Sequence, residues 1–239
     1  MLPQDNYNRS YVSPDRDRSL SFPSLMRSVY IWMALALAVT GLTAMTIATQ
    51  PQIVYAIFAN RAIFWMLLLA ELGMVIYLSA RIMSMSFATA GIVFVVYALL
   101  NGVTLSSLFM AYTAESIAQT FFVTAGTFGA MAVIGFLVKR DLSAIGRFFY
   151  MALIGLIIAT VANAFFHNSG LAMICNYAGV VIFSGLTAYD TQKIKNMLVQ
   201  FGDRRDETVM KLALLGSLSL YLDFINLFLY LLRFLGNRR

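Results

Sequence analysis

The chain has 239 residues, 60% of them hydrophobic and only 12% charged, with a mean hydropathy of +0.78. A soluble domain carries roughly 25% charged residues, so there is too little polar side chain here to coat a water-soluble globule. The net charge of +6 then reads as membrane topology before it reads as a nucleic-acid surface, and the single cysteine, Cys175, excludes an internal disulfide or a thiolate metal cage.

Residues 1–24 mix charges, prolines and serines without an apolar run. They do not form a cleavable signal and are expected to be a short, disordered cytoplasmic tail. Seven apolar windows follow, at about 29–49, 62–80, 87–112, 117–138, 148–166, 171–191 and 212–235. Each is close to the ~20 residues that a helix needs to cross ~30 Å of hydrocarbon, and none alternates as a barrel strand would. The expected fold is all-α, a seven-transmembrane-helix bundle forming one domain over residues 25–239. Most links are short and carry break signals, such as Gln50-Pro51-Gln52, Lys139-Arg140-Asp141 and His167-Asn168-Ser169-Gly170. Only the link at about 192–211 is long enough to hold structure of its own.

Thirteen of the seventeen Lys and Arg residues fall in the tail and in the second, fourth and sixth links. The positive-inside rule therefore puts the amino terminus in the cytoplasm, and seven crossings put the carboxyl terminus outside. Arg233, Arg238 and Arg239 at that outer end go against the rule; a re-entrant last segment would remove the conflict. Small residues four apart, Ala125/Gly129 and Gly155/Ala159, allow close helix approach in lipid.

Three carboxylates lie within the apolar windows: Glu71 near the middle of the second, Asp190 toward the cytoplasmic end of the sixth and Asp223 near the middle of the seventh. Each costs on the order of 2.5–3.5 kcal/mol at mid-bilayer, so each is expected to face the bundle interior and a partner or water. Asn226 lies one turn beyond Asp223 and could extend a polar seam. Asp190 could instead snorkel to water or pair with Lys193 or Lys195. Consecutive helices are usually neighbours, so Asp190 and Asp223 can meet; like charges in low dielectric would then share a proton and titrate as a pair. Deprotonation would create a repulsion that Arg81, at the end of the Glu71 span, could relieve as a latch. A divalent cation held by carboxylate oxygens, the ligands Ca²⁺ prefers, could relieve it as well.

Two segments, GVVIFSGLTAYDTQKIKNM at 179–197 and LGSLSLYLDFINLFLYLLRFLGNRR at 215–239, resemble the signature of the bacterial branch of the Bax inhibitor-1 (transmembrane Bax inhibitor motif) family. So do YALLNGVTLSSLFMAYTAESIAQTFFVTAGTFGAM at 97–131 and KRDLSAIGRFFYMALIG at 139–155, and the likeness extends over about 25–239. The resemblance implies seven helices with the last one central, and a pH-sensitive calcium leak through a bacterial inner membrane controlled by an aspartate pair. By motif the pair falls on Asp190 and Asp223, the Ca²⁺ ligands the resemblance implies; the family's second-helix glutamate and arginine fall more loosely on Glu71 and Arg81. Ca²⁺ would be the transported ion, with no permanently bound cofactor.

Other classes fit less well. An intramembrane aspartyl protease also uses a Tyr-Asp and a second Asp on adjacent helices, as at Tyr189-Asp190 and Asp223. However, Ser219-Leu220-Tyr221-Leu222 lacks the glycines expected before the second acid, and all four prolines lie at or before Pro51. A retinal protein needs a lysine in the last span, which has none. The only histidine, His167, sits at an outer loop, away from most serines. No enzymatic activity is therefore expected. The remaining alternative is a regulatory role in which the amino-terminal tail is gripped by a membrane-bound quality-control protease.

Overall fold

A computed structural model of the protein describes residues 14–201 and 206–238. The described residues form nine α-helices: α1 (Pro14–Ala48), α2 (Pro51–Phe58), α3 (Arg61–Arg81), α4 (Phe87–Leu105), α5 (Leu108–Ala111), α6 (Ala114–Leu137), α7 (Ser143–Phe166), α8 (Ser169–Phe201) and α9 (Glu207–Leu235). Seven stretches are long and apolar enough to cross a bilayer, beginning at Leu25, Arg61, Phe87, Ala114, Ser143, Ser169 and Glu207, one for each window of the sequence. The expected all-α fold is thus the one observed.

The links are set by side chains that satisfy the free N–H groups of the next helix. Asn60 accepts from the backbone N–H groups of Ala62 and Ile63, Ser86 from Thr89, Thr113 from Ser116 and Asp206 from Val209. The first link also contains a two-turn helix, α2, which begins with Pro51 and buries Val54.

Two boundaries differ from the sequence reading. The tail expected to be disordered over 1–24 lies outside the described residues up to residue 13, while α1 begins at Pro14, where a missing N–H costs a helix nothing. The docking segment proposed for a protease partner falls partly on those undescribed residues. The link expected at 192–211 is shorter than read, because α8 continues through Thr191-Gln192-Lys193 to Phe201; no Gly or Pro in that stretch stops it. With 33 residues, α8 is about 50 Å long, well beyond the hydrocarbon thickness.

The last helix occupies the centre. In its apolar window 67% of residues are buried, against 6% for α3 and α7 and at most 39% elsewhere. It packs on α1, α4, α6 and α8, with α7 outside α8 and α3 outside α4. Continuous from Glu207 to Leu235, α9 crosses the bundle and is not re-entrant. At its end an antiparallel bridge joins Arg238 to Tyr112, the Thr113 N–H donates to the Asn237 carbonyl, and the Asn237 N–H donates to Ser116 Oγ at 2.9 Å. Arg238 thus lies on the face opposite the start of α1.

Without a hydrophobic drive between helices in lipid, their fit decides the packing. A side chain added at Gly146 of α7 would overlap the Tyr189 ring of α8, and one at Gly185 of α8 would overlap the Phe149 ring of α7. Gly179 of α8 likewise receives Tyr230 of α9, and Gly216 of α9 receives Ile194 of α8. These reciprocal insertions fix how α7, α8 and α9 face one another. At Gly135 the backbone of α6 meets that of α8 at Ala188, too close for any side chain.

Candidate functional site

The interlocks of α7, α8 and α9 determine which polar side chains meet. Gly146 and Phe149 engage Tyr189 and Gly185, so the next residues along, Tyr150 and Asp190, face each other, and the Tyr150 hydroxyl donates to Asp190 Oδ1 at 3.1 Å. The contacts of Gly179 with Tyr230 and of Gly216 with Ile194 place Asp190 opposite residues 219–220, so Asp223 lies about one helical turn further along that contact. Both carboxyl groups are buried, each residue being 5% exposed, and close enough for the charge on one to act on the other. Asp223 Oδ2 is buried without a hydrogen-bond partner. Tyr150 lies within electrostatic reach of both acids.

Of the other arrangements open for Asp190, neither lysine pairing occurs. Lys193 acts on Asp190 electrostatically, yet its ammonium sits over the Tyr189 ring, 5.9 Å from the centroid. Lys195 donates to the Phe136 carbonyl at 2.7 Å. The polar seam from Asp223 to Asn226 also does not form, because Asn226 turns back on its own helix and donates to the Leu222 carbonyl at 2.8 Å, its nearest acceptor in an apolar setting.

Beside the pair, Gln192 holds the α6–α7 link against α8. Its side chain accepts from the Leu142 N–H at 2.8 Å and donates to the carbonyls of Val138 and Arg140 at 3.1 and 2.8 Å. One buried amide thus satisfies the end of α6 and the start of α7, and through α7 it helps to hold Tyr150. Asp141 in that link accepts from the Ser143 hydroxyl at 2.7 Å and backbone N–H at 2.9 Å. Those two bonds, helped by Arg147, hold its carboxyl below the usual value.

Glu71 and Arg81 lie elsewhere. Glu71 is half-buried on α3 and accepts a hydrogen bond from the Thr104 hydroxyl of α4. Arg81 is exposed at the end of α3, and no ion pair joins it to Asp190 among the described residues. Glu71 is within electrostatic reach of Tyr97 and Tyr221. The Thr40 hydroxyl donates to the Ala98 carbonyl at 2.9 Å, so at 2.8 Å the Tyr221 hydroxyl must be the donor to Thr40. This bond ties α9 to α1 and α4. Cys175 is buried among apolar neighbours, as read from the sequence.

Tyr150, Gln192 and Thr104 were not singled out from the sequence. Only the polarity of Thr104 within an apolar window could have flagged it; Gln192 fell in the expected link beyond the sixth window, and nothing distinguishes Tyr150 from the other eleven tyrosines. Chemically, the site offers two carboxyl groups and one phenol. Ca²⁺ takes six to eight oxygens, and the described residues contain no cluster of three or more His, Cys, Asp or Glu that could hold a metal.

Residues 23–239 match the family described as inhibitor of apoptosis-promoting Bax1. The chain is 47% identical over 214 residues to the inner membrane protein YbhL of Escherichia coli, covering 90% of this chain and 92% of that one. It is 46% identical over 215 residues to the protein RP147 of Rickettsia prowazekii, at 90% and 89% coverage. A protein of Borreliella burgdorferi is 44% identical over 230 residues, at 95% and 98% coverage.

Proposed function

The chain belongs to the Bax inhibitor-1 family, and from that premise we propose that it is a pH-sensitive calcium leak of a bacterial inner membrane, with its amino terminus in the cytoplasm. The observation that carries this reading is the placement of Asp190 and Asp223. Two buried carboxyl groups on interlocked helices lie within reach of each other's charge, and one oxygen is left without a partner. Two such groups cannot cheaply both ionise, so one shared proton compensates the site when conduction is off. When that proton leaves, the repulsion favours a cation between the acids, and the oxygens that Ca²⁺ prefers are already in place. Tyr150 orients Asp190 toward its partner.

Glu71 and Arg81 act as the gate in this reading. Only 6% of the apolar window of α3 is buried, and α3 is held mainly by α4 and the turn that follows it. It is therefore the span freest to swing and to bring Arg81 toward Asp190, closing the amino-terminal face. The inner-membrane placement rests on YbhL, which is named for that membrane.

The test is reconstitution of the full chain in liposomes with a trapped calcium dye, read between about pH 5 and 8. The wild type admits Ca²⁺ with a pH-dependent rate, and Asp190→Asn and Asp223→Asn each abolish that dependence. Unchanged flux in both variants rejects the reading. Cleavage of a transmembrane peptide that disappears with either substitution would assign the acids to proteolysis instead, while loss of function on trimming residues 1–24 with flux intact would favour a tail-bound partner.

A further inference from the structure

A sizeable cavity lies away from the acid pair. It is a cleft of about 700 Å³ between α1 and α6, floored by Phe224, Ile225 and Phe228 of α9. Its lining is almost wholly apolar; Thr40 is the one hydroxyl, and it is engaged with Ala98 and Tyr221. Such a surface does not hold water. It lies within the membrane-crossing stretches of α1, α6 and α9 and opens sideways between two helices, so hydrocarbon is the medium that meets it. Its size falls in the range of small-ligand sites, roughly 300–1,000 Å³. Space within it is real: a side chain built at Gly41 on its wall meets nothing within 4 Å.

Charge supplies the second half of the site. Leu108 and Phe109 of α5 close the cleft at the carboxyl-terminal face. Immediately after them, Tyr112 is bridged to Arg238 and Thr113 is bonded to Asn237. The exposed Arg238 is thereby held by its backbone to Tyr112, three residues beyond the cleft-lining Phe109 and three beyond Leu235, the last residue of the α9 span. The arginines at this end are the ones that the positive-inside rule does not explain.

We propose that this cleft, with Arg238 at its mouth, binds an anionic glycerophospholipid of the bilayer, one acyl chain lying between α1 and α6 against α9 and its phosphate meeting the guanidinium. The chain buries apolar surface that would otherwise line a void, and the arginine selects for negative charge. The site is separate from the Asp190–Asp223 pair and holds or fails independently of calcium conduction.

The test uses the full chain in phosphatidylcholine vesicles containing phosphatidylglycerol with a photoreactive diazirine on one acyl chain. Adducts should concentrate on peptides spanning 34–45, 114–122 and 224–228. Unlabelled phosphatidylglycerol should compete about fivefold better than phosphatidylcholine, the preference expected of one arginine near the surface, and Arg238→Gln should remove that preference. Gly41→Leu, which fills the cleft, should lower labelling there roughly tenfold, whereas Gly73→Leu on α3, equally unobstructed, should not. Labelling spread over α3 and α7 as strongly as over the cleft would reduce the site to ordinary lipid contact and overturn the proposal. Equal competition by the two lipids, measured on the wild type alone, would overturn the part played by Arg238.

Discussion

Glu71 and the Asp190–Asp223 pair carry the same functional group into the same membrane, yet their surroundings differ. Glu71 sits on a peripheral helix with one neighbouring hydroxyl as partner, in a window where 6% of residues are buried. The aspartates sit where α7, α8 and α9 insert aromatic and aliphatic side chains into one another's glycines, and Asp223 keeps a buried oxygen unpaired. Insertion of each acid costs a comparable amount, on the order of 2.5–3.5 kcal/mol. The packing around an acid therefore decides what it can do more than its depth does. A rigid frame can hold two like charges together, while a loosely held helix can only present one charge and move.

That contrast is broken most severely by attacking the frame. Gly185→Leu forces the Phe149 ring out of α8 and should cost 3 kcal/mol or more, beyond ordinary overpacking of about 1–3 kcal/mol, seen as loss of a monodisperse peak on size exclusion in detergent. Gly73→Leu on the loose helix should elute as the wild type does. Next, Asp223→Asn should remove the pH dependence of calcium flux altogether, whereas Glu71→Gln should retain it with the rate changed by about threefold or less, an effect below ~1 kcal/mol. If Glu71→Gln were as damaging as Asp223→Asn, the two sites would be one.

Smaller changes sharpen the comparison. Tyr150→Phe removes a hydrogen bond to Asp190 worth about 1 kcal/mol and should displace the flux–pH curve along the pH axis without unfolding the protein. Tyr221→Phe leaves Thr40 bonded to Ala98 and should cost only about 1 kcal/mol, read as a fall of a few degrees in Tm. Asp141→Asn should have the least effect. The folded protein holds that carboxyl below its ordinary value, so its contribution to stability is present above the unfolded value, near 4, and is lost as pH falls through the folded one. The small difference in Tm between variant and wild type should therefore vanish in acid and persist at neutral pH.

The number of crossings, the two acidic helices and the hairpin that joins them were legible in the sequence, because span length and the cost of an intramembrane charge are local properties. The links were legible as break signals, but the side chains that cap the helices, such as Ser86 and Asp206, were not singled out. Similarly, α8 ran past its expected end, since hydropathy marks where a helix leaves lipid and not where it stops. The contacts of Asn226, the pairing of Tyr150 with Asp190 and the clamp made by Gln192 were not legible. Each depends on how a helix is rotated about its axis, and helices that are apolar all round carry no stripe to reveal it.

By itself, then, the sequence determined seven helices, their order and the acids they bury, since a bilayer tests each segment separately for length and polarity. Tertiary structure alone decided that α7 joins the acid pair, that α1 and α6 stand apart over α9, and that Arg238 is held at the mouth of the gap between them. Those outcomes follow from the fit of ring to glycine and backbone to backbone between segments distant in the chain, and no window of residues contains them.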